Sequence, residues 1–261
     1  MRKRTFTLGL ALAGLLATTA SHAQNALDTI AKSKQIKIAI PTDFPPYGFV
    51  GTDLKPQGLD IEMANYIAAK LGAKVELLPV TSNNRIPYLQ TGKADLVIST
   101  LGKNPDREKV IDFTVAYSPF FIAVFAAKSV AVQAPGELAG KSISVTRGSV
   151  DDMELTKVAP AAAEVRRFED NNATVSAYVA GQVQLLATSA QVAAAMSQRN
   201  PQLNTELKFV LKNSPNYIGV AKGEEKLRAK VNEILMEARK SGDIDKMSVK
   251  WLGKPAGDLP N

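Results

Sequence analysis

Hydrophobic and polar positions along the chain alternate between two periods. Ile36-Lys37-Ile38-Ala39-Ile40 alternates residue by residue and predicts a β-strand. A turn-rich loop follows from Pro41 to Gly58, with four prolines and three glycines. Ile61, Ala64, Ile67, Ala68 and Leu71 then fall at helical spacing, and Gly72 stops that helix. Lys74 to Val80 predicts a second strand, Arg85 to Thr91 a helix, and Ala94 to Ser99 a buried strand after the Gly92-Lys93 turn. Residues 113 to 127 are apolar and aromatic, fitting either a core strand or a passage between lobes. A second βα set begins at Lys141 to Val145, and Gly148-Ser149 leads into its helix. Val175 to Ala180 predicts another helix, stopped by Gly181. Phe209 to Leu211 and Tyr217 to Ala221 predict late strands. Glu224 to Lys240 carries Leu227, Val231, Ile234, Leu235 and Ala238 on one helical face, and a last helix bears Met247 and Trp251. Such alternation predicts α/β lobes with mostly parallel sheets, whose ligands bind at the carboxyl ends of the strands.

The first residues stand outside this pattern. Arg2-Lys3-Arg4, the apolar stretch Thr7 to Ala17, and Ser21-His22-Ala23 follow the order of a secretory signal peptide, too short to span a bilayer. Cleavage is expected after Ala23. No Cys follows to carry a lipid anchor, so the mature protein is expected in the periplasm.

Charge and composition remove several function classes. Of the net charge of +7, Arg2, Lys3 and Arg4 carry three, leaving +4 on the mature chain. No basic run with interleaved aromatics accompanies it, so a nucleic-acid surface is not expected. The chain has no Cys, and its single His is His22 in the leader. Thiol nucleophiles, disulfides, His-based triads and His-liganded zinc are excluded. No spaced Asp run suggests calcium. No metal or other cofactor is expected.

Several segments, in this order, resemble the bacterial extracellular solute-binding proteins for polar amino acids. They are Asp43-Phe44-Pro45-Pro46-Tyr47, Gly58-Leu59-Asp60-Ile61, Leu89 through Gly92-Lys93-Ala94-Asp95-Leu96, and Asp106-Arg107 with Val110-Ile111-Asp112-Phe113. Gly140-Lys141, Gly148-Ser149 and Lys250-Trp251 complete the series. Thr81-Ser82-Asn83-Asn84-Arg85-Ile86-Pro87 is similar to the glutamate/aspartate-binding branch. The resemblance implies a type II periplasmic-binding-protein fold, with two lobes crossed near residues 120 to 126 and 212 to 220. Residues 24–121 and 219–261 are expected in lobe one, and 122–218 in lobe two. It also implies an ABC importer whose membrane permease subunits receive the ligand, a monomer, and no catalysis.

The same resemblance suggests site residues. The family's matching Arg grips an α-carboxylate, which makes Arg107 the first candidate; a guanidinium meets a carboxylate as a two-toothed fork. A surface Arg paired with Asp106 or Glu108 is the bland alternative. Ser99, Thr100 and Gly102 end a buried strand and can complete a carboxylate cradle or serve ordinary loop chemistry. Ser82 and Arg85 match ligand-facing residues of the acidic branch, and a second cation there suits an acidic side chain; a solvent-reaching Arg85 is the alternative. Gly148 and Ser149 start a helix that can attract an anion or merely be capped. Phe44 can lie on the ligand's stem or, like Tyr47, pack the loop. Asp43 can meet an ammonium or shape the turn. Arg147 is either a third cation or exposed.

The pattern breaks in three places. The family's Asp for the α-ammonium is matched by Ser189, the acidic branch's helper His by Asn171, and its extra Arg by Pro41. An ammonium must then meet Asp43, Asp170 or backbone carbonyls, or the ligand is a dicarboxylate or keto acid without one. A cyclohexadienyl dehydratase-like enzyme would need an acid in the cleft, and the positions placed there are Ser, Thr, Arg and aromatics. A detachable co-receptor is the third reading.

Overall fold

The computed structural model describes residues 25–261; the signal-peptide reading lies outside them. The chain opens with α1 (Ala26–Ser33) and β1 (Gln35–Ile40). The expected loop is a small three-stranded sheet, β2 (Asp43–Phe44), β3 (Gly48–Val50) and β4 (Pro56–Gln57). Then come α2 (Leu59–Lys70), β5 (Lys74–Pro79), α3 (Arg85–Gln90), β6 (Leu96–Gly102), α4 (Pro105–Val110) and β7 (Ile111–Ser118). The second lobe holds β8 (Phe121–Ala127), β9 (Ser142–Thr146), α5 (Val150–Val158), β10 (Glu164–Phe168), α6 (Asn171–Val179), β11 (Leu185–Ser189), α7 (Ala190–Arg199) and β12 (Thr205–Asn213). The chain returns with β13 (Asn216–Ala221), α8 (Glu225–Lys240) and α9 (Asp243–Leu252).

The two large sheets repeat one plan. The first runs β5-β1-β6-β13-β7 and the second β10-β9-β11-β8-β12. In each, the first three strands are parallel, and the fourth is antiparallel to both its neighbours. That fourth strand, β13 or β8, is the one that has just arrived from the other lobe. Pro119 lies in the first passage and Pro215 in the second. Proline has no N–H to offer a ladder, so each strand ends there. Ser214 N–H donates to Phe120 O at 2.9 Å, tying the two passages side by side. The apolar stretch 113 to 127 is thus two strands in two different sheets. Phe121 stands in the second sheet and residues 216–218 in the first, one and three residues away from the lobe boundaries suggested by sequence.

Apolar burial holds each lobe. Ile36, Ile38 and Ile40 of β1 are fully buried, together with Leu227, Val231, Ile234, Leu235 and Ala238 of α8. In the second lobe Val124, Ile143, Val145, Leu155 and Leu185 form the corresponding core. Gly58, at φ +129°, leads into α2; a side chain there would strike the carbonyls of Tyr47 and Pro46. This close approach sets α2 against the loop that carries Asp43 and Phe44. Replacing Ile38 with Ala should cost about 2–5 kcal/mol of unfolding free energy, because the first sheet cannot collapse around the lost methyl groups. Urea denaturation measures it; a loss near zero would place the core of lobe one elsewhere.

Candidate ligand-binding site

The site grows from the carboxyl end of β6. Every residue of that strand is buried. Thr100 turns it with φ 43°, a left-handed value that a β-branched residue adopts at a cost of about 1–3 kcal/mol. Two contacts hold the turn: Thr100 N–H donates to Asp60 Oδ2 at 2.8 Å, and Arg85 Nη2 donates to Thr100 Oγ1 at 3.3 Å. Asp60, in the first turn of α2, also accepts from Tyr117 O–H at 2.6 Å. Burial nevertheless pushes its carboxyl up to about 7, against the pull of these two donors.

Both candidate arginines are buried. Arg85 opens α3 with 3% exposure, and its Nε donates to Ser99 Oγ at 3.1 Å, so the solvent-reaching alternative is corrected. Burial lowers its pKa, opposed by the charges of Asp43 and Asp60. Arg107 has 5% exposure on α4, positioned where its own N–H donates to Asn104 Oδ1 at 2.9 Å. Its Nη1 donates to Gly102 O at 2.7 Å, and its Nη2 reaches the other lobe, donating to Gly148 O at 3.1 Å. Both acceptors are carbonyls. Among the described residues, no carboxylate lies within 4.0 Å of either guanidinium, so pairing with Asp106 or Glu108 does not occur. Burial, then the like charge of Arg85, brings the Arg107 pKa down to about 9.

The second lobe presses the start of α5 onto this group. Ser149 is the N-cap, accepting from Asp152 N–H at 3.0 Å, and Gly148 N–H donates back to Asp152 Oδ2 at 3.1 Å. Gly148 adopts φ 70° and leaves no room for a side chain beside Asn83 of lobe one. A side chain at Gly102 would come within 2.6 Å of Val150 and 2.8 Å of Ser214. Next to Val150 lies Asp151, 7% exposed, whose Oδ1 has no hydrogen-bond partner.

Other sequence candidates are placed differently. Asp43 accepts across the lobes from Asn171, from its N–H at 2.7 Å and from Nδ2 at 3.1 Å. It is a clasp, because the first N–H of α6 has no partner within its own helix and donates to it directly. Asn171 is fixed in turn by Thr146 O–H at 2.9 Å. Phe44 stacks on Tyr47 at 5.9 Å and lies 6.3 Å from Phe120, an aromatic cluster that packs the loop. Ser189 is fully buried and accepts from Val192 N–H at 3.2 Å as the N-cap of α7. Asp170 likewise caps α6, accepting from Ala173 N–H at 2.7 Å. Arg147 is exposed and pairs with Glu169 at 2.7 Å. Ser82 is buried, and its hydroxyl has no partner.

Sequence reasoning named Asp43 and Asp170 as candidate acids and missed Asp60 and Asp151, which are buried beside the two arginines' elements. Asp60 was visible as a lone acid among Leu59, Ile61, Met63 and Ala64 on a buried helical face. Asp151 carried no such signal, because acids in a first helical turn are ordinary. Asn216 is fully buried with neither amide atom bonded, and its strand partner is Gly102.

Two α/β lobes, two passages and desolvated cations on the seam define a two-lobed clamp for small ligands. The chain belongs to the bacterial extracellular solute-binding proteins, family 3, whose profile matches residues 36–254. It is 28% identical over 214 residues to a glutamine-binding protein of Geobacillus stearothermophilus, covering 80% of this chain and 81% of that one. It superposes with TM-score 0.80 and 32% identity on an ancestral arginine-binding protein bound to arginine, covering 84% and 99% of the two chains. The ancestral amino acid-binding protein AncCDT-1, a precursor of cyclohexadienyl dehydratase, matches with TM-score 0.80 and 28% identity over 87% and 99%. The glutamate/aspartate branch is not singled out among these relatives.

Two measurements probe the site. A carboxyl that titrates near 3.8 in the unfolded chain and at about 7 in the fold holds its proton more tightly when folded. The stability from Asp60 is therefore fully present below pH ~4 and is lost as pH rises through 7. Urea titrations at pH 4.5 and 7.5 should show a fall of about 2–4 kcal/mol from this group, largely absent in Asp60→Asn; equal falls in both proteins would assign the slope to other groups. Asn171→Ala should weaken the clasp and raise the radius of gyration of the ligand-free protein in X-ray scattering. An unchanged radius would show that the clasp does not hold the lobes together.

Proposed function

We propose that the chain is the solute-binding component of an amino-acid ABC importer, with a polar amino acid held between its lobes. The observation that carries this reading is Arg107: a guanidinium buried on the lobe seam, bonded to carbonyls alone. A desolvated cation is costly unless an anion meets it. A ligand carboxylate supplies that anion, and each charge-assisted bond to it is worth about 1.5–3 kcal/mol. Ser99, Thr100, Gly102 and Ser82 flank the carboxylate position from the first lobe, and the capped start of α5 at Gly148-Ser149 closes it from the second. Relatives named for binding glutamine and arginine support an amino acid.

Arg85 argues against an acidic side chain. Its guanidinium is spent on Ser99 and Thr100, and the field of Asp43 and Asp60 already stabilises its charge. A second ligand carboxylate is therefore not required there. The lobes close by hinge motion at the 119–120 and 214–215 passages, the ligand shifts the population toward closed, and the closed face meets the permease subunits. The protein works as a monomer in the periplasm after loss of the leader.

The test is a thermal-shift screen on residues 24–261, unfolded and refolded to strip retained ligand. The panel holds L-glutamine, L-arginine, L-histidine, L-cystine, L-glutamate, L-aspartate, succinate and 2-oxoglutarate. At about 100 times Kd a ligand adds about 2.7 kcal/mol, or roughly 5–10 °C in Tm. At least one neutral or basic amino acid should give this shift, and Arg107→Ala should weaken it about 100-fold. Stabilisation only by acids lacking an amine would move the ligand class to dicarboxylates or keto acids. A flat response would overturn the reading.

A further inference from the structure

An amino acid has its ammonium one carbon away from its carboxylate. If Arg107 takes the carboxylate, the acceptor for the ammonium must lie beside Arg107. The family's position for that acceptor is Ser189, which is neutral and whose hydroxyl caps α7. Asp43 is engaged by Asn171, Asp170 caps α6, and both oxygens of Asp60 already accept from Thr100 and Tyr117. Asp151 differs from all of these. It is more than nine-tenths buried, its Oδ1 has no donor in hydrogen-bonding geometry although its own N–H and the Ser149 hydroxyl lie near enough to the carboxyl to favour its charge, and it sits three residues beyond the Gly148 carbonyl that Arg107 grips. Its neighbour Val150 lies against Gly102, so this turn of α5 faces the first lobe at the end of β6. The fields of Arg85, Arg107 and Tyr47 all register its charge.

We propose that Asp151 accepts the α-ammonium of the bound amino acid, standing in for the acid that Ser189 replaces and making the site selective for α-amino acids over their deaminated counterparts. The inference rests on the proposed function. The charges of the seam fit it, since Arg107 and Asp151 present to a zwitterion the two opposite charges it carries. The acceptor comes from the second lobe and the cation from the first, so an amino acid bridges the lobes through both of its ends, whereas a simple carboxylate leaves Asp151 unmatched. A buried acceptor without a partner costs free energy, and the ammonium removes that cost only upon closure.

Asp151 has one competing role, as an internal anion that a ligand carboxylate must displace from the arginines. The two roles predict opposite signs. The experiment compares wild type with Asp151→Asn, both refolded, by calorimetric titration. The ligands are L-glutamine and L-arginine and their deamino counterparts, 4-carbamoylbutanoate and 5-guanidinopentanoate. Wild type should bind at least one of the amino acids about 10–100-fold more tightly than its deamino counterpart. Asp151→Asn should lose that preference, binding the amino acid weakly and the deamino compound at least as well as wild type does. Retained binding of the deamino compound shows that the variant folds and that Arg107 works, and an unchanged Tm without ligand is a second check. An amino-acid preference that survives in Asp151→Asn, or tighter binding of both compounds, overturns this inference and leaves the proposed function standing. Wild-type binding confined to the deamino compounds also overturns it. No binding of any of the four by wild type counts against the inference and the proposed function together.

Discussion

Two guanidinium groups kept out of water constrain the rest of this molecule. Arg85 is enclosed within the first lobe, and its cost is offset by two hydroxyls and by the negative field of Asp43 and Asp60. That arrangement needs Thr100 in a left-handed turn, Asp60 on the buried face of α2, and Tyr117 on β7 to share the carboxyl. Arg107 has no comparable compensation. From α4 it bonds the Gly102 carbonyl at the end of β6 and reaches across the seam to the carbonyl of Gly148, so half of its hydrogen bonding exists only when the lobes are together. One arginine thus builds the floor of the site, and the other makes the site depend on closure.

The passages between the lobes give that closure its mechanics. Each lobe completes its sheet with a strand that arrives from the other lobe, and each arrival follows a proline. The strands are hydrogen-bonded members of their sheets, so the proposed hinge motion would place its φ/ψ change in the two short segments bonded to each other at Phe120 and Ser214. The Asp43–Asn171 clasp lies away from these segments and acts between the lobe faces. Closure therefore has a standing polar component from the clasp, to which a ligand on Arg107 adds.

The fold was largely legible in the sequence because its strands and long helices bury one clean face each. Ile36–Ile40 and the Leu227–Ala238 face follow their periods closely. Elements that escaped detection lack such a face. β10, Glu-Val-Arg-Arg-Phe, is an edge strand whose Arg166 pairs with Glu164 along its exposed side and whose Arg167 turns the other way to pair with Asp152 of α5. α7 is rich in alanine and polar residues and packs only through Val192, Ala193 and Met196. Resemblance pointed to Arg107, Arg85, Ser99 and Thr100, and the fold gathers these four at the end of β6, Arg85 on Ser99 and Thr100 and Arg107 on the Gly102 carbonyl. The site was not legible at Asp43 and Asn171. Their partnership spans 128 residues and two lobes, and nothing local in either segment specifies it.

The same limit governs the acids. From sequence, the seam held two cations with Asp43 and Asp170 as the acids that could meet an ammonium, and the second cation favoured an acidic ligand. In the fold it holds Asp60 and Asp151 as well, and burial pushes the second up to about 6 against the pull of Arg85 and Arg107. With that acid present, the cations no longer call for a ligand with two carboxylates. Nor does the scaffold by itself separate binding from catalysis. A carboxyl poised near neutrality accepts an ammonium when ionised and can donate a proton when protonated. One relative in fold is an ancestral amino acid-binding protein that is a precursor of cyclohexadienyl dehydratase. In the binding mode proposed for this chain, an ammonium beside Asp151 would hold the carboxyl ionised and use its charge for binding.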